Sequence, residues 1–305
     1  PVKQDEKIVL GVLIKEIQEL INRNHIRSEK IVGCGIGVSG FVHQKEGVLI
    51  SSKILGWKDI RFKEILEKKF NFPVFVDKDV NTLTLAEKRF GVGKKINNFI
   101  CVTIGKGIGA GIVIKGNIYH GSYGGAGDFG HMVIDQDGPL CYCGKRGCLE
   151  VFSSDQFIIN KTKEVILNKK TTLLKSLWKE EDGLDSVSVE MTLKAAQKGD
   201  VVAKNIFQEA GRNLGVGVVN LITLFDPELI LVGGEGIRAG ELILQPMREV
   251  VINNFPQRKE IKIIPLQAGE KGWLVGAAEL VLSEVFKTPI FRSKGKVVIK
   301  SAFHW

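Results

Sequence analysis

The sequence predicts an α/β fold with parallel sheets. Segments in which apolar residues recur at helical spacing alternate along the chain with short apolar runs rich in glycine. These runs are apolar at nearly every position, which is typical of strands buried on both faces of a parallel sheet. The chain of 305 residues is long enough for one large domain or two lobes, and no repeat or low-complexity linker divides it. Two lobes would therefore share a cleft rather than be joined by a flexible linker.

The first part of the chain predicts three helices and several strands. In chain order they are a helix at 7–23, a strand at 30–38, a helix in FKEILEKKF, a strand at 73–77, a helix at 81–90, a strand at 98–104 and a hairpin at 109–119. The hairpin is expected to turn at Lys115, Gly116 and Asn117, because glycine and asparagine favour tight turns.

The second part is richer in helix. Asp200 is expected to cap a long helix at 201–224. A strand at 228–234 ends in glycines, and a second strand lies at 261–266. Residues 273–286 are expected to form a closing helix, so the alternation of strand and helix continues through this part.

Composition and charge are weak guides to function in this chain. The net charge is +9, but the basic residues are scattered over predicted helix faces such as KEILEKKF, which does not predict nucleic-acid binding. No apolar run reaches the roughly 18 residues of a membrane span. The start of the chain, PVKQDEKIVL, lacks the pattern of a signal peptide. We therefore expect a cytoplasmic protein with no membrane partner.

Three of the five cysteines fall within eight positions, at Cys141, Cys143 and Cys148. Two glycines between them allow a tight loop, and His131 can provide a fourth ligand. Three thiolates and one imidazole suit a tetrahedral zinc ion with every position filled, which is a structural and not a catalytic site. The alternative is three incidental or reactive thiols. The other two cysteines lie in apolar runs and are expected to be small buried hydrophobes.

Three carboxylates stand out by position. Asp128 and Glu150 flank the cysteine loop, where a bound metal would hold them in place for a polar ligand. Asp79 follows the strand at 73–77, and ligands bind at the carboxyl ends of strands in open α/β sheets. A carboxylate there can act as a general base or hydrogen-bond a sugar hydroxyl. The alternatives are solvated carboxylates for the first two and a helix N-cap for Asp79.

Two glycine-rich loops follow strands, IGKGIGAG at 104–111 and VGGEG at 232–236. Such loops bring backbone amides close to phosphates. Neither is a Walker motif or a dinucleotide fingerprint, so a plain tight turn remains the alternative for each.

Together these residues resemble the ROK family of sugar kinases and sugar-responsive transcriptional repressors. GHMVIDQDGPLCYCGKRGCLE resembles the zinc signature of that family, and LGWKDI, PVFVDKDVNTLTLAEKRFGVG, IGKGIGAGIVIKGNIYHG and LGVGVVNLITLFDPELILVGG resemble its other segments in the same order. The resemblance implies an actin-like (hexokinase/RNase H-like) two-lobed ATPase fold with a structural zinc loop.

The resemblance also implies a division of the chain. Residues 1–92 would form a first lobe whose first strands are not in this chain, and residues 93–270 a second lobe with the zinc loop at 131–150. Residues 271–290 would be a closing helix that returns to the first lobe, and residues 291–305 a tail.

Site residues carry over from the family by position. His131, Cys141, Cys143 and Cys148 match its zinc ligands, and Asp79 matches the base that takes a proton from a sugar hydroxyl in the kinases. Asp79, Asp128, His131 and Glu150 are then expected to bind the sugar. Gly105, Gly107 and Gly109 match a phosphate loop, and Gly233 and Gly234 match the loop beside adenosine.

The chain departs from the kinases of the family at several positions. Lys78 replaces an asparagine before the catalytic acid, and its ammonium is expected to lower the basicity of Asp79. Asp128 is one methylene shorter than the family's glutamate, and Lys106 replaces a threonine in the phosphate loop. The family's first phosphate motif, DxGxT, is not in this chain.

These departures favour a regulator over an enzyme. The predicted function is the sugar-sensing and dimerisation domain of a ROK transcriptional regulator, with a sugar effector and with operator DNA bound through a helix-turn-helix module outside this chain. A homodimer or homotetramer is expected. The alternative is an ATP-dependent sugar kinase, which would use ATP and Mg²⁺ besides the structural Zn²⁺.

Overall fold

The computed structural model describes residues 5–168, 172–257, 261–266, 269 and 271–286, and the backbone of 291–293 and 296–298. Contacts divide the chain into two compact units. The first unit comprises Pro1–Lys95, Ile118–Ala126 and Ala268–Trp305, and the second comprises Ile96–Asn117 and Gly127–Gln267. The segment Ile118–Ala126 thus clusters with the first unit, although it lies inside the range predicted for the second lobe.

Strands dominate the first part of the described chain. In order, its elements are α1 (Glu6–Arg23), β1 (Cys34–Val38), β2 (Phe41–His43), β3 (Val48–Ser52), β4 (Trp57–Ile60), α2 (Phe62–Phe70), β5 (Val74–Lys78), α3 (Asp79–Arg89), β6 (Phe99–Ile104), β7 (Ile108–Ile114) and β8 (Asn117–Ile118).

Helices dominate the second part. In order, its elements are α4 (Asp155–Leu167), α5 (Leu173–Leu177), α6 (Val189–Gln197), α7 (Val201–Phe225), β9 (Leu229–Gly233), α8 (Glu241–Asn254), β10 (Lys262–Pro265), α9 (Lys271–Phe286), β11 (Phe291–Ser293) and β12 (Lys296–Val298). Each helix and strand predicted from the sequence has a counterpart in this order. The last two strands form an antiparallel pair.

Among its described residues the first unit contains three small sheets, one of which is the β11–β12 pair. Strand β1 pairs in parallel with β5, so that Val38 lies opposite Lys78. Strands β2, β3 and β4 form an antiparallel meander that the sequence analysis did not predict. The core between these elements includes Leu49, Leu66 and Val76, which are fully buried.

The second unit has a five-stranded mixed sheet in the order β10-β9-β6-β7-β8. Strand β6 is parallel to β9 and antiparallel to β7. The prediction of parallel sheets is therefore wrong for β7. Only Gly105, Lys106 and Gly107 lie between β6 and β7, and so short a turn can join only antiparallel neighbours, since a parallel pair needs a crossover of a dozen or more residues.

Helix α7 runs through the core of the second unit. Its N-cap is Asp200, whose carboxylate accepts a hydrogen bond of 2.8 Å from the amide of Ala203, as the sequence predicts. Gly211 on this helix lies against α8, where an added Cβ would be 2.5 Å from the carbonyl oxygen of Ile243. Glycine here permits the close approach of the two helices. No helix within the described residues has the length and apolarity needed to cross a bilayer.

Candidate functional site

Asp79 lies in the first unit at the junction between β5 and α3. It is the first residue of α3, and Lys78 holds the N-cap position. The capping alternative for Asp79 is therefore wrong, because its carboxylate instead accepts a hydrogen bond of 2.7 Å from the next amide, that of Val80. The acid remains where the sequence placed it, at the carboxyl end of a strand.

Two opposing influences act on the pKa of Asp79. Burial raises the pKa of the Asp79 carboxyl, while the Val80 amide and the charge of Lys78 act to lower it. Lys78 therefore acts in the direction expected from the sequence, but the net shift is upward because burial has the larger effect. Removing a carboxylate from water opposes its ionisation more strongly than one neighbouring ammonium favours it.

A second acid at the same junction, Asp77, was not predicted as a site residue. Its side chain is 2% exposed, and one of its oxygens lies 2.7 Å from Nε2 of His120. The other oxygen accepts hydrogen bonds from the Lys78 amide at 2.7 Å and from Nδ2 of Asn81 at 2.8 Å. His120 gave no sequence signal, because it is a single histidine 43 residues away.

Lys78 also contacts the segment that carries His120. The Lys78 side chain is buried, and Nζ donates a hydrogen bond of 3.1 Å to the carbonyl oxygen of Ala126. Two contacts, from Asp77 and Lys78, therefore fix the segment Ile118–Ala126 to β5 in the first unit.

The second unit brings together the four predicted metal ligands. The donor atoms of His131, Cys141, Cys143 and Cys148 all lie within 4.8 Å of one another. The Sγ atoms of Cys143 and Cys148 are 3.6 Å apart, and Sγ of Cys141 is 3.7 Å from Nδ1 of His131. A tetrahedron with Zn–S bonds of about 2.3 Å has edges of about 3.8 Å. The four residues therefore fit a zinc ion bound through Nδ1 of the histidine.

The loop around these ligands has little regular structure. Two isolated bridges, Val133 with Cys148 and Leu140 with Arg146, hold it together. Gly144 and Gly147 have φ angles of +98° and +66°, which favour glycine. At Gly147 an added Cβ would also overlap the carbonyl group of Asp135.

Glu150 and Asp128 occupy different environments on this loop. Glu150 is 4% exposed, and its Oε2 accepts a hydrogen bond of 2.9 Å from the amide of Ile108. Its Oε1 is buried without a well-formed hydrogen bond to any described residue. Asp128 is exposed and stands at the N-cap of the short 3₁₀ turn Phe129–His131. Whether these residues share a pocket with Asp79 stays a prediction.

The two predicted nucleotide loops meet within the second unit. Gly105 and Gly107 form the turn between β6 and β7, and Gly109 lies in β7. Gly233 ends β9, and Gly234 has a φ of +86° at a place where an added Cβ would overlap the backbone of Ile104. The glycines therefore bring the two loops into contact.

Acidic residues surround the turn at Gly105. The Asp155 amide donates a hydrogen bond of 2.9 Å to the carbonyl oxygen of Gly105. Glu235 is also adjacent, since its Cβ would be 3.6 Å from a Cβ added at Gly105. Arg238 lies 3.5 Å from the Asp155 carboxylate and 2.8 Å from that of Glu190. This cluster was not predicted from the sequence, because its members are far apart in the chain.

The charges of this cluster act on Asp155. Burial raises the pKa of the Asp155 carboxyl, and Glu235 and Glu190 raise it further, against the lowering effect of Arg238 and Lys106. One oxygen of this carboxylate is buried with no hydrogen-bond partner among the described residues.

Comparisons with known proteins agree on one family. The sequence profile described as the ROK family matches residues 3–284. A xylose repressor of Caldicellulosiruptor bescii is 29% identical over 94% of this chain and 71% of its own length.

The solved structures of a transcriptional regulator and of a glucokinase both share this fold. A ROK family transcriptional regulator, described as a homologue of the E. coli MLC protein, superposes with a TM-score of 0.81 at 28% identity, covering 92% of this chain and 70% of the other. A ROK family glucokinase from Streptomyces griseus, solved with glucose and AMPPNP, gives a TM-score of 0.76 at 30% identity, covering 93% and 89%.

Proposed function

The chain belongs to the ROK family, and we propose that it is the sugar-sensing and dimerisation domain of a ROK transcriptional regulator. In this proposal the two units are the lobes of an actin-like ATPase fold, and a sugar is the effector. A helix-turn-helix module outside this chain binds operator DNA, and the protein acts in the cytoplasm as a homodimer or homotetramer.

Similarity alone supports a regulator and a kinase equally, because a xylose repressor and a glucokinase are both related to the chain. Any choice between them has to rest on the residues at the turn Gly105–Gly107.

The observation that carries the proposal is the charge around that turn. In a kinase of this fold the turn would lie against nucleotide phosphates. Here Asp155 and Glu235 flank it, and Arg238 is committed to Asp155 and Glu190. The buried carboxylate of Asp155 would repel phosphate oxygens strongly because water is largely excluded from it, and the exposed Glu235 would add a weaker, screened repulsion. This arrangement supports a protein that binds sugar without transferring phosphate.

We propose zinc as the metal of the second unit. His131, Cys141, Cys143 and Cys148 would hold it with all four positions filled, so it would fix the loop and leave no open position for catalysis. With Nδ1 on the metal, Nε2 of His131 is left for a ligand, and Glu150 follows directly after the loop.

In the proposed sugar site, Asp79, Asp128, His131 and Glu150 hydrogen-bond the sugar hydroxyls. Asp77 positions Asp79 indirectly, because it binds both the Lys78 amide and Asn81 of α3. Sugar binding would bias a conformational equilibrium of the protein, and an attached DNA-binding module would respond with weaker operator affinity.

A sugar kinase is the second candidate. The raised pKa of Asp79 favours it, since a carboxylate with a higher pKa is a better general base. In that case ATP with Mg²⁺ would bind along Gly105, Gly107, Gly109, Gly233 and Gly234, and Asp79 would accept the proton of the attacking sugar hydroxyl.

A paired binding and turnover assay distinguishes the two. The protein is titrated with aldopentoses, aldohexoses and N-acetylated sugars by calorimetry, and ADP release from Mg·ATP is followed with each sugar. A regulator binds at least one sugar without ADP release above background. Turnover near 1 s⁻¹ or above, the low end of typical enzymes, supports the kinase instead.

A further inference from the structure

Tyr142 lies in the sequence between Cys141 and Cys143, two of the candidate metal ligands. Its side chain contacts another of them, His131. Its ring meets the ring of His131 edge-on, with centroids 5.3 Å apart and planes at 86°. Its hydroxyl is 3.4 Å from Nε2 of His131, while Nδ1 of the same ring faces the Cys141 thiol. The tyrosine therefore occupies the side of the histidine that is turned away from the metal ligands.

The same hydroxyl lies close to Glu150. The Glu150 carboxylate is a neighbour of the phenol, although no well-formed hydrogen bond joins the two groups. Glu150 has Oε2 bound to the Ile108 amide, and Oε1 lacks a well-formed hydrogen bond to any described residue. Three polar groups thus converge within one unit: an imidazole nitrogen, a carboxylate oxygen and a phenol.

These three groups are incompletely satisfied. A separation of 3.4 Å is long for an O–H···N hydrogen bond, since such bonds cluster well below 3.2 Å. A buried carboxylate oxygen without a partner is costly unless a ligand or water binds it. A sugar hydroxyl is both donor and acceptor, so one placed here can donate to Glu150 and accept from Tyr142 or His131.

We propose that Tyr142 is a further sugar-binding residue beside His131 and Glu150, with its phenol hydroxyl hydrogen-bonded to a sugar hydroxyl. This inference rests on the proposed sugar site and adds a residue that the family resemblance does not supply. The side chain is 49% exposed, whereas a tyrosine whose role was packing alone would be largely buried.

The test is Tyr142→Phe in the metal-loaded protein, which removes the hydroxyl and keeps the ring. The matched control is Tyr123→Phe, at a tyrosine that is 80% exposed in the first unit. Affinities for the sugar that binds wild-type protein best, and for its deoxy analogues, are measured by calorimetry. Metal content and melting temperature are measured on the same samples.

Tyr142→Phe is expected to weaken sugar binding roughly two- to tenfold, the range of one hydrogen bond, with metal content unchanged. One deoxy analogue should bind Tyr142→Phe and wild-type protein alike, because the hydroxyl that Tyr142 contacts is missing from it. The control should bind as wild type does.

Unchanged or tighter sugar binding by Tyr142→Phe overturns the inference and leaves the sugar site standing. Equal weakening for the sugar and every deoxy analogue also overturns it, because that points to a structural effect on the loop. If wild-type protein binds no sugar of the panel, the proposed function fails and the role of Tyr142 fails with it.

Discussion

The acids of the two units are held in place in different ways. In the first unit Asp77 and Asp79 lie where a strand passes directly into a helix, and hydrogen bonds to amides of those elements fix them. In the second unit Glu150 follows a loop that has only short 3₁₀ turns and two isolated bridges. One group of acids is built on regular structure, and the other follows a loop on which four candidate metal ligands lie close together.

The difference bears on what each region needs in order to keep its shape. Strands and helices satisfy their own backbone groups, so the first region requires no ligand. The loop of the second region has few such bonds, so a metal ion would supply the missing constraint. Substitutions in the loop of the second region should therefore change the metal content of the protein, whereas substitutions in regular elements should leave it unchanged.

The largest expected effect is on metal binding. Cys148→Ser removes a fully buried thiolate, and we expect metal content to fall from one zinc per chain to none. The melting temperature should fall by about 10 °C, since each kcal/mol lost shifts it by a few degrees. Elemental analysis and thermal melting measure both. Cys34→Ser, at a thiol outside the cluster, should keep its zinc. Folded wild-type protein without metal would contradict this prediction.

The next effect concerns the shape of the loop. Gly147→Ala places a Cβ on the Asp135 carbonyl in addition to straining a φ of +66°, and should cost about 2–4 kcal/mol with partial loss of zinc. Gly144→Ala strains a φ of +98° but meets no heavy atom within 4 Å, and should cost only about 1 kcal/mol. Urea unfolding measures both. Equal losses of stability in the two variants would show that the contact with the Asp135 carbonyl does not determine the cost of Gly147→Ala.

A smaller effect is expected in the regular part of the second unit. Asp200→Ala removes a carboxylate that binds the amides of Ala203 and Leu173, at a cost of about 1 kcal/mol with zinc content unchanged. Burial acts to raise the pKa of Asp200, but hydrogen bonds, first from Ala203, lower it overall.

The pH dependence of the Asp200 effect follows from that lowered pKa. A lowered pKa in the folded state contributes stability above the unfolded value, near 3.9, which is lost as pH falls through the folded value. The difference between wild type and Asp200→Ala should therefore be full at pH 7 and shrink towards pH 3 in urea titrations. A difference that grows on acidification would contradict the assignment.

The smallest expected effect is a gain in the free energy of unfolding instead of a loss. The pKa of Asp79 is raised by burial, so its ionised form costs stability as pH rises from the unfolded value through the folded one. Asp79→Asn keeps an acceptor for the Val80 amide and removes that cost. It should be slightly more stable than wild type at pH 7, with no gain at pH 3. A loss of stability at pH 7 would show that the charge supports the fold.

Patterns local in sequence predicted most of the fold. Helical spacing located α1 and α7, and the Asp200 cap was correct. The four donors predicted from the cysteine spacing and His131 lie close together, as expected. The meander of β2, β3 and β4 was missed, because its strands are three to five residues long and their pairing is set by packing.

Contacts between distant residues could not be predicted. His120 binds Asp77, and Asp155 reaches the turn at Gly105, through folding that brings distant segments together. The lowering effect of Lys78 on the pKa of Asp79 was predicted, but the larger raising effect of burial was not, because burial is not visible in the sequence.

Sugar affinity tests most directly whether acids of both units hold one ligand. Wild type, Asp79→Asn, Glu150→Gln and the double variant are titrated with the best-binding sugar. Each single variant should lose about 1–3 kcal/mol of binding free energy, and the double variant should bind the sugar more weakly than either single variant. If either single variant binds the sugar as tightly as wild type, the two acids do not form one site.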